Sequence, residues 1–175
     1  MRIVAPALAV ALLASPVLAG EVGVVGEATI GSASRHATLR LACDPAHAGL
    51  SATLTIPRFA DLSSTFDFDA FEGPSGTTKP LTALRVAGAN GVRSMIAPAS
   101  GSVAADPSTS YILTVAGPKR TESPLRGIAP GLAEAGARIV WTQSSPRAGD
   151  ASVIATFPVT DAAAVRKAIE RCVGP

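Results

Sequence analysis

The chain has 175 residues, 47% of them hydrophobic, 16% charged and 4% aromatic, and fifteen basic against thirteen acidic side chains leave a formal charge of +2. That balance, with no basic run, excludes the electrostatic footprint of a nucleic-acid binder. Sixteen glycines and fourteen prolines without a triplet period exclude collagen and disfavour a helical bundle, and the apolar fraction excludes a disordered chain.

Residues 1–19 read as a secretory signal peptide. Arg2 supplies the positive start, Ile3 to Leu13 form an uncharged apolar stretch interrupted by Pro6, and Ser15-Pro16 break it. Val17-Leu18-Ala19 then presents suitable residues for cleavage after Ala19, with Gly20 as the alternative. The stretch is shorter than the ~20 residues that span a bilayer, so no stable membrane span is expected after cleavage. Residues 20–175 are of a size to form a single domain with one core, placed in the periplasm or secreted.

Short strands follow, separated by turn residues. Val22 to Ile30 is a weak strand interrupted by Gly23 and Gly26. Ala37 to Cys43 alternates, with Leu39, Leu41 and Cys43 on one side and Thr38 and Arg40 on the other. Leu50 to Ile56 alternates again and stops at Pro57. Leu81 to Val86 and Val92 to Ala97 flank Asn90-Gly91, a hairpin signal. Tyr111 to Val115, Arg138 to Thr142 and Ser152 to Phe157 have β-forming compositions, the last two joined by the turn Ser145 to Asp150.

Two segments read as helical. Ser123-Pro124-Leu125 begins a short helix broken by Gly127, Pro130 and Gly131. Thr160 caps a C-terminal helix in which Val165, Ala168, Ile169 and Cys172 share one face. The expected fold class is α+β, mainly antiparallel β, a sandwich or strongly curved sheet of seven or eight strands.

Cys43 and Cys172 are the only cysteines and lie 129 positions apart. Both point toward apolar surface, no C-x-x-C occurs, and no zinc-ligand spacing involves the two histidines, His36 and His47. In an exported chain they are expected to form a structural disulfide.

Asp67 and Asp69 are the main candidates for chemistry. In a strand Phe66-Asp67-Phe68-Asp69, alternation would put both carboxylates on one face. Such a pair could bind a cation or act as acid and base, although a solvated acidic strand face is the commoner arrangement. No nucleophile elbow, Walker loop or dinucleotide glycine pattern is present, and no cofactor is expected. The turn-rich stretch from Phe71 to Pro80 has the character of a recognition loop. With Asp67, Asp69, Glu72 and the sole tryptophan, Trp141, it defines a candidate binding surface.

The early strand Leu39-Arg40-Leu41-Ala42-Cys43, the closing strand Ala155-Thr156-Phe157-Pro158-Val159 and the helix ending in Cys172 resemble small bacterial periplasmic proteins. Among these are the invasion-associated locus B family and type VI secretion-associated periplasmic proteins. The resemblance covers the two ends of the exported domain and implies a stapled envelope β-domain without catalytic residues. The expected function is a non-catalytic binding or accessory protein whose partner is an envelope protein or an exported toxin or enzyme. A small-molecule or lipid carrier and a metal-dependent hydrolase using Asp67 and Asp69 are the alternatives.

Overall fold

The computed structural model describes residues 20–47, 49–105 and 109–173. The signal-peptide expectation for residues 1–19 lies outside them. Nine antiparallel strands form one sheet: β1 (Gly20–Ile30), β2 (Ala33–Asp44), β3 (Gly49–Pro57), β4 (Thr82–Gly88), β5 (Gly91–Ala97), β6 (Ser100–Val103), β7 (Ser110–Val115), β8 (Arg138–Gln143) and β9 (Val153–Pro158). With the C-terminal helix α2 (Ala162–Val173) they form the expected α+β, mainly antiparallel fold.

The order across the sheet is β5-β4-β8-β9-β1-β2-β3-β7-β6. β5 and β6 therefore occupy opposite edges, yet only Pro98 and Ala99 join them. The sheet must curl until its two edges meet at that corner. β5 and β6 behave as one bent strand that exchanges β4 for β7, and Pro98, with no N–H to donate, sits at the exchange.

The concave face holds the core. Alternate residues point inward from each strand: Leu39, Leu41 and Cys43 from β2, Leu84 and Val86 from β4, Ile139 and Trp141 from β8, Ala155 and Phe157 from β9. Helix α2 packs on this face with Val165, Ala168, Ile169 and Cys172 buried, the face that helical spacing predicts. Close approach is possible because Gly20 has no side chain; a Cβ there would run into the backbone of Ala168. Cys43 and Cys172 are joined in a disulfide, with Cα atoms 5.7 Å apart.

Several local expectations change. The cap of α2 is Asp161, whose Oδ1 accepts the Ala164 N–H at 2.9 Å, rather than Thr160. β1 is a full eleven-residue strand at the centre of the sheet, its glycines accommodated by pairing along its whole length with β2. β6 is the strand missing from the sequence reading, being only four residues long and carrying one large apolar side chain. The broken helix is a 3-10 turn, Pro124–Gly127, followed by the four-residue α1 (Ala129–Leu132). Ser123 does not cap it; its hydroxyl donates to the Leu50 carbonyl at 2.6 Å, tying the segment to β3.

Candidate functional site at the 66–80 segment

Phe66 to Asp69 is not a strand. After β3 the chain turns at Arg58, in the left-handed region at φ 53°, and enters a 3-10 turn, Phe59–Leu62. Turns then lead to a second 3-10 turn, Asp69–Phe71. Aromatic packing determines this course. Phe59, Phe66, Phe68, Phe71 and Tyr111 form one cluster, with ring centroids 4.8 Å apart for Phe66–Phe68 and 4.9 Å for Phe68–Tyr111. The Tyr111 hydroxyl donates to the Phe68 carbonyl at 2.7 Å. That bond, and the phenylalanines on both sides of the turn, override the period-two reading because a compact corner buries more aromatic surface than an isolated strand.

The alternation still sorts side chains. Phe66 and Phe68 are buried, Asp67 is half-buried and Asp69 exposed. Glu72, also half-buried, makes a parallel bridge to Gly101 in β6. Gly101 is required at this contact, since a Cβ would meet the Tyr111 hydroxyl and lie 2.8 Å from Phe71 Cβ. Burial first, then the charges of Glu72, Asp69 and Asp67, push the Tyr111 phenol above its ordinary value of 10. The charges of all three predicted carboxylates thus act on one buried phenol.

The segment is anchored a second time by Asp150, which the sequence reading places in a plain turn. Asp150 Oδ2 accepts the Asp67 backbone N–H at 2.9 Å and the Ser145 hydroxyl at 2.6 Å, while Oδ1 accepts Arg147 Nε at 2.6 Å. Burial would raise its pKa, but these donors outweigh that effect and hold it below the ordinary 3.8. An aspartate closing a polar turn is too common a pattern to reveal a partner 83 positions away.

Beyond Glu72 the loop closes on itself, with the Thr77 N–H donating to the Ala70 carbonyl at 2.8 Å. It overhangs the strand-exchange corner and encloses a cleft of about 320 Å³. Phe71, Pro74 and Pro98 give the cleft apolar surface, and Thr77, Ser100 and Thr114 give it hydroxyls. Among the described residues no ionisable side chain lines it. Its chemistry is that of a surface that can hydrogen-bond an uncharged polar chain while packing on its apolar parts.

Other predicted residues stand apart. Trp141 cannot belong to a surface: it is fully buried in β8, and its indole N–H has no hydrogen-bond partner among the described residues. Its alternating position on an inward-facing strand explains the burial. His47 pairs with Asp44 at 3.0 Å in the β2–β3 connection, lowering the Asp44 pKa chiefly through the hydrogen bond, and His36 is exposed on β2. Among the described residues no group of three His, Cys, Asp or Glu side chains is placed to hold a metal ion. No described helix is long and apolar enough to cross a membrane.

Comparisons with protein-family models, characterised proteins and solved structures found no match to this chain.

Proposed function

We propose that this protein is an exported, non-catalytic binding or accessory module of the periplasm or the secreted space. It acts through a protein partner, either a component of the envelope or an exported toxin or enzyme. The cleft between the 71–80 loop and the β5–β6 corner carries this reading. It is open, mixed apolar and hydroxylic in character, and built on a segment fixed by five aromatic rings and the Asp150 cluster. Rigid support beneath an accessible loop favours recognition, because little ordering entropy remains to oppose binding. We take Asp67, Asp69 and Glu72, in the segment that leads into the loop, as the acidic border of that surface. The Cys43–Cys172 bond supports an oxidising compartment, and the envelope role agrees with the resemblance to small periplasmic two-cysteine proteins.

The test is capture of partners by the tagged, oxidised domain, followed by native mass spectrometry, in parallel with Thr78→Arg and Ser100→Arg. Both positions are exposed at the cleft, so the variants should fold as judged by circular dichroism. A stoichiometric protein lost from both variants is the expected result. A protein retained undiminished by both would remove the cleft from the reading. A co-purified small molecule would make this a carrier, and a turnover abolished by Asp67→Ala would make it an enzyme.

A further inference from the structure

β1 lies in the middle of the sheet, but more than half of it has a partner strand on one side only. It pairs with β2 from Gly20 to Ile30 and with β9 only from Glu27 to Ile30. The direction of its free backbone groups follows from the hairpin. The two-residue turn Gly31-Ser32 closes on the pair Ile30–Ala33, and such a closing pair is hydrogen-bonded, with bonded and non-bonded pairs alternating beyond it. Even-numbered residues of β1 therefore direct their N–H and C=O groups to β2, and odd-numbered ones away from it. The Ser144 N–H, which donates to the Leu81 carbonyl at 2.9 Å, fixes the same phase independently through β4, β8 and β9.

Thr29 and Glu27 thus face β9, while Glu21 and Gly23 direct two N–H and two C=O groups at an edge along which no strand of the described residues runs. Proline causes the interruption. In the β1–β9 register the residue facing Val25 would be Pro158, which has no N–H. The next residue, Val159, still faces β8, donating to the Ala137 carbonyl at 2.8 Å, and the chain then leaves the sheet for α2.

Two depressions follow this edge in succession, about 440 Å³ beside Gly20, Lys167 and Arg171 and about 250 Å³ among Val22, Val24, Val159 and Val165; a third, of about 410 Å³ beside Val25, His36 and Arg138, lies past its end, where Glu27 pairs with Thr156. The first two make a trough roughly 20 Å long at about 3.3 Å per strand residue. Its ends are fixed, by the β1–β9 pairs at one and by the disulfide at the other, where Cys43 is the partner of Gly20. Because the edge is flanked by Thr160, Asp161 and α2, a slim single strand fits where the broad edge of another sheet would not.

We propose that this trough binds the free C-terminal tail of another polypeptide as an added strand, antiparallel to β1 and continuing the line that β9 abandons at Pro158. Backbone pairing with Glu21 and Gly23 supplies the main-chain bonds, the recognition mode of domains that extend a sheet edge. Residues opposite Val22 and Val24 point to the concave side, so the tail carries apolar side chains there, over Val159 and Val165. An antiparallel tail ends beside Gly20. At that end Arg40, 3.4 Å from Glu21, offsets that carboxylate, so that among the described residues Lys167 and Arg171 stand against Glu170 and leave one positive charge for a terminal carboxylate. The inference deepens the reading of a protein-binding module by naming a second surface and its ligand chemistry.

The test uses the oxidised protein and acetyl-Ser-Val-Thr-Val-Ser-Val with a free carboxylate, the same peptide as its C-terminal amide, and a version N-methylated at the residues facing β1. Nuclear magnetic resonance would follow the Glu21 and Gly23 amides. In the free protein they should exchange rapidly, and the acid peptide should protect them and bind at least tenfold tighter than the amide or the N-methylated form. Gly23→Pro, which removes only an outward N–H, should abolish binding, and Lys167→Gln with Arg171→Gln should equalise acid and amide. Slow exchange in the free protein, no binding at millimolar peptide, or equal binding of all three peptides would overturn the proposal. If Gly23→Pro does not fold, the N-methylated peptide still decides. Thr78→Arg and Ser100→Arg should leave peptide binding unchanged, which separates failure of the trough from failure of the cleft.

Discussion

Replacing Tyr111 by phenylalanine would keep the aromatic stack and remove only the hydroxyl that donates to the Phe68 carbonyl. That carbonyl is buried with its corner, so the loss should cost about 1–3 kcal/mol, read as a lower urea midpoint with unchanged slope. The same residue gives the molecule an alkaline limit. Its folded pKa is raised, so the folded state holds the phenolic proton more tightly than the unfolded state. The stabilisation is complete below the ordinary value of 10 and declines as pH rises through and above it. Urea midpoints taken between pH 8 and 11 should fall, and Tyr111→Phe should flatten that fall. Asp150 acts in the opposite sense. Its folded pKa is depressed, so its contribution is present above the ordinary 3.8 and disappears as pH falls through the folded value. Asp150→Asn should reduce the acid sensitivity of the midpoint; an unchanged acid limb would show that the cluster around the Asp67 N–H carries no linked stability.

Among the elements, α2 shows how closely local sequence can specify structure. Its buried face follows from helical spacing alone, and its first turn needed only a shift of the cap by one residue. Asp161→Ala removes the bond to the Ala164 N–H and should cost about 1 kcal/mol, with faster amide exchange confined to the first turn of the helix. Long alternating strands such as β2 and β3 were legible for the same reason: one face is buried and the other is not. The 66–71 segment was not, because five aromatic residues can satisfy a period-two pattern and still pack better as a corner. Its cleft was legible only as a turn-rich loop. Ser100 and Thr114 come from strands that meet the loop through the curl of the sheet, and Asp150 through a partner far along the chain. The β1 trough was hidden too, since Pro158 has a consequence only when the strand across from it is known.

For the whole molecule, sheet order divides the chain into two arms. One runs from β1 through β2, β3 and β7 to β6, the other from β9 through β8 and β4 to β5. Between them lie the four β1–β9 residue pairs, the Pro98–Ala99 corner and the packing of α2. The disulfide joins β2 of the first arm to α2, which follows the second. In the chain-entropy account, closing a loop of 129 residues is worth about 4–5 kcal/mol. Reduction, or Cys43→Ser with Cys172→Ser, should therefore lower unfolding stability by up to that amount. Amides of the β1–β9 pairs should lose protection before those of β2 and β3, and uniform loss across the sheet would show that the arms do not open separately.

This arrangement has a mechanical consequence. A pull that separates β2 from α2 loads the covalent bond directly, and the trough between β1 and α2 can widen only as far as that tether allows. In the oxidised molecule an extending force would be carried by covalent structure while the neighbouring backbone pairs stay unloaded. Once the tether is cut, the same force falls on the packing of α2 and on four residue pairs that can separate in succession from the Pro158 end. A single chemical reduction would thus convert a stiff joint into one that peels.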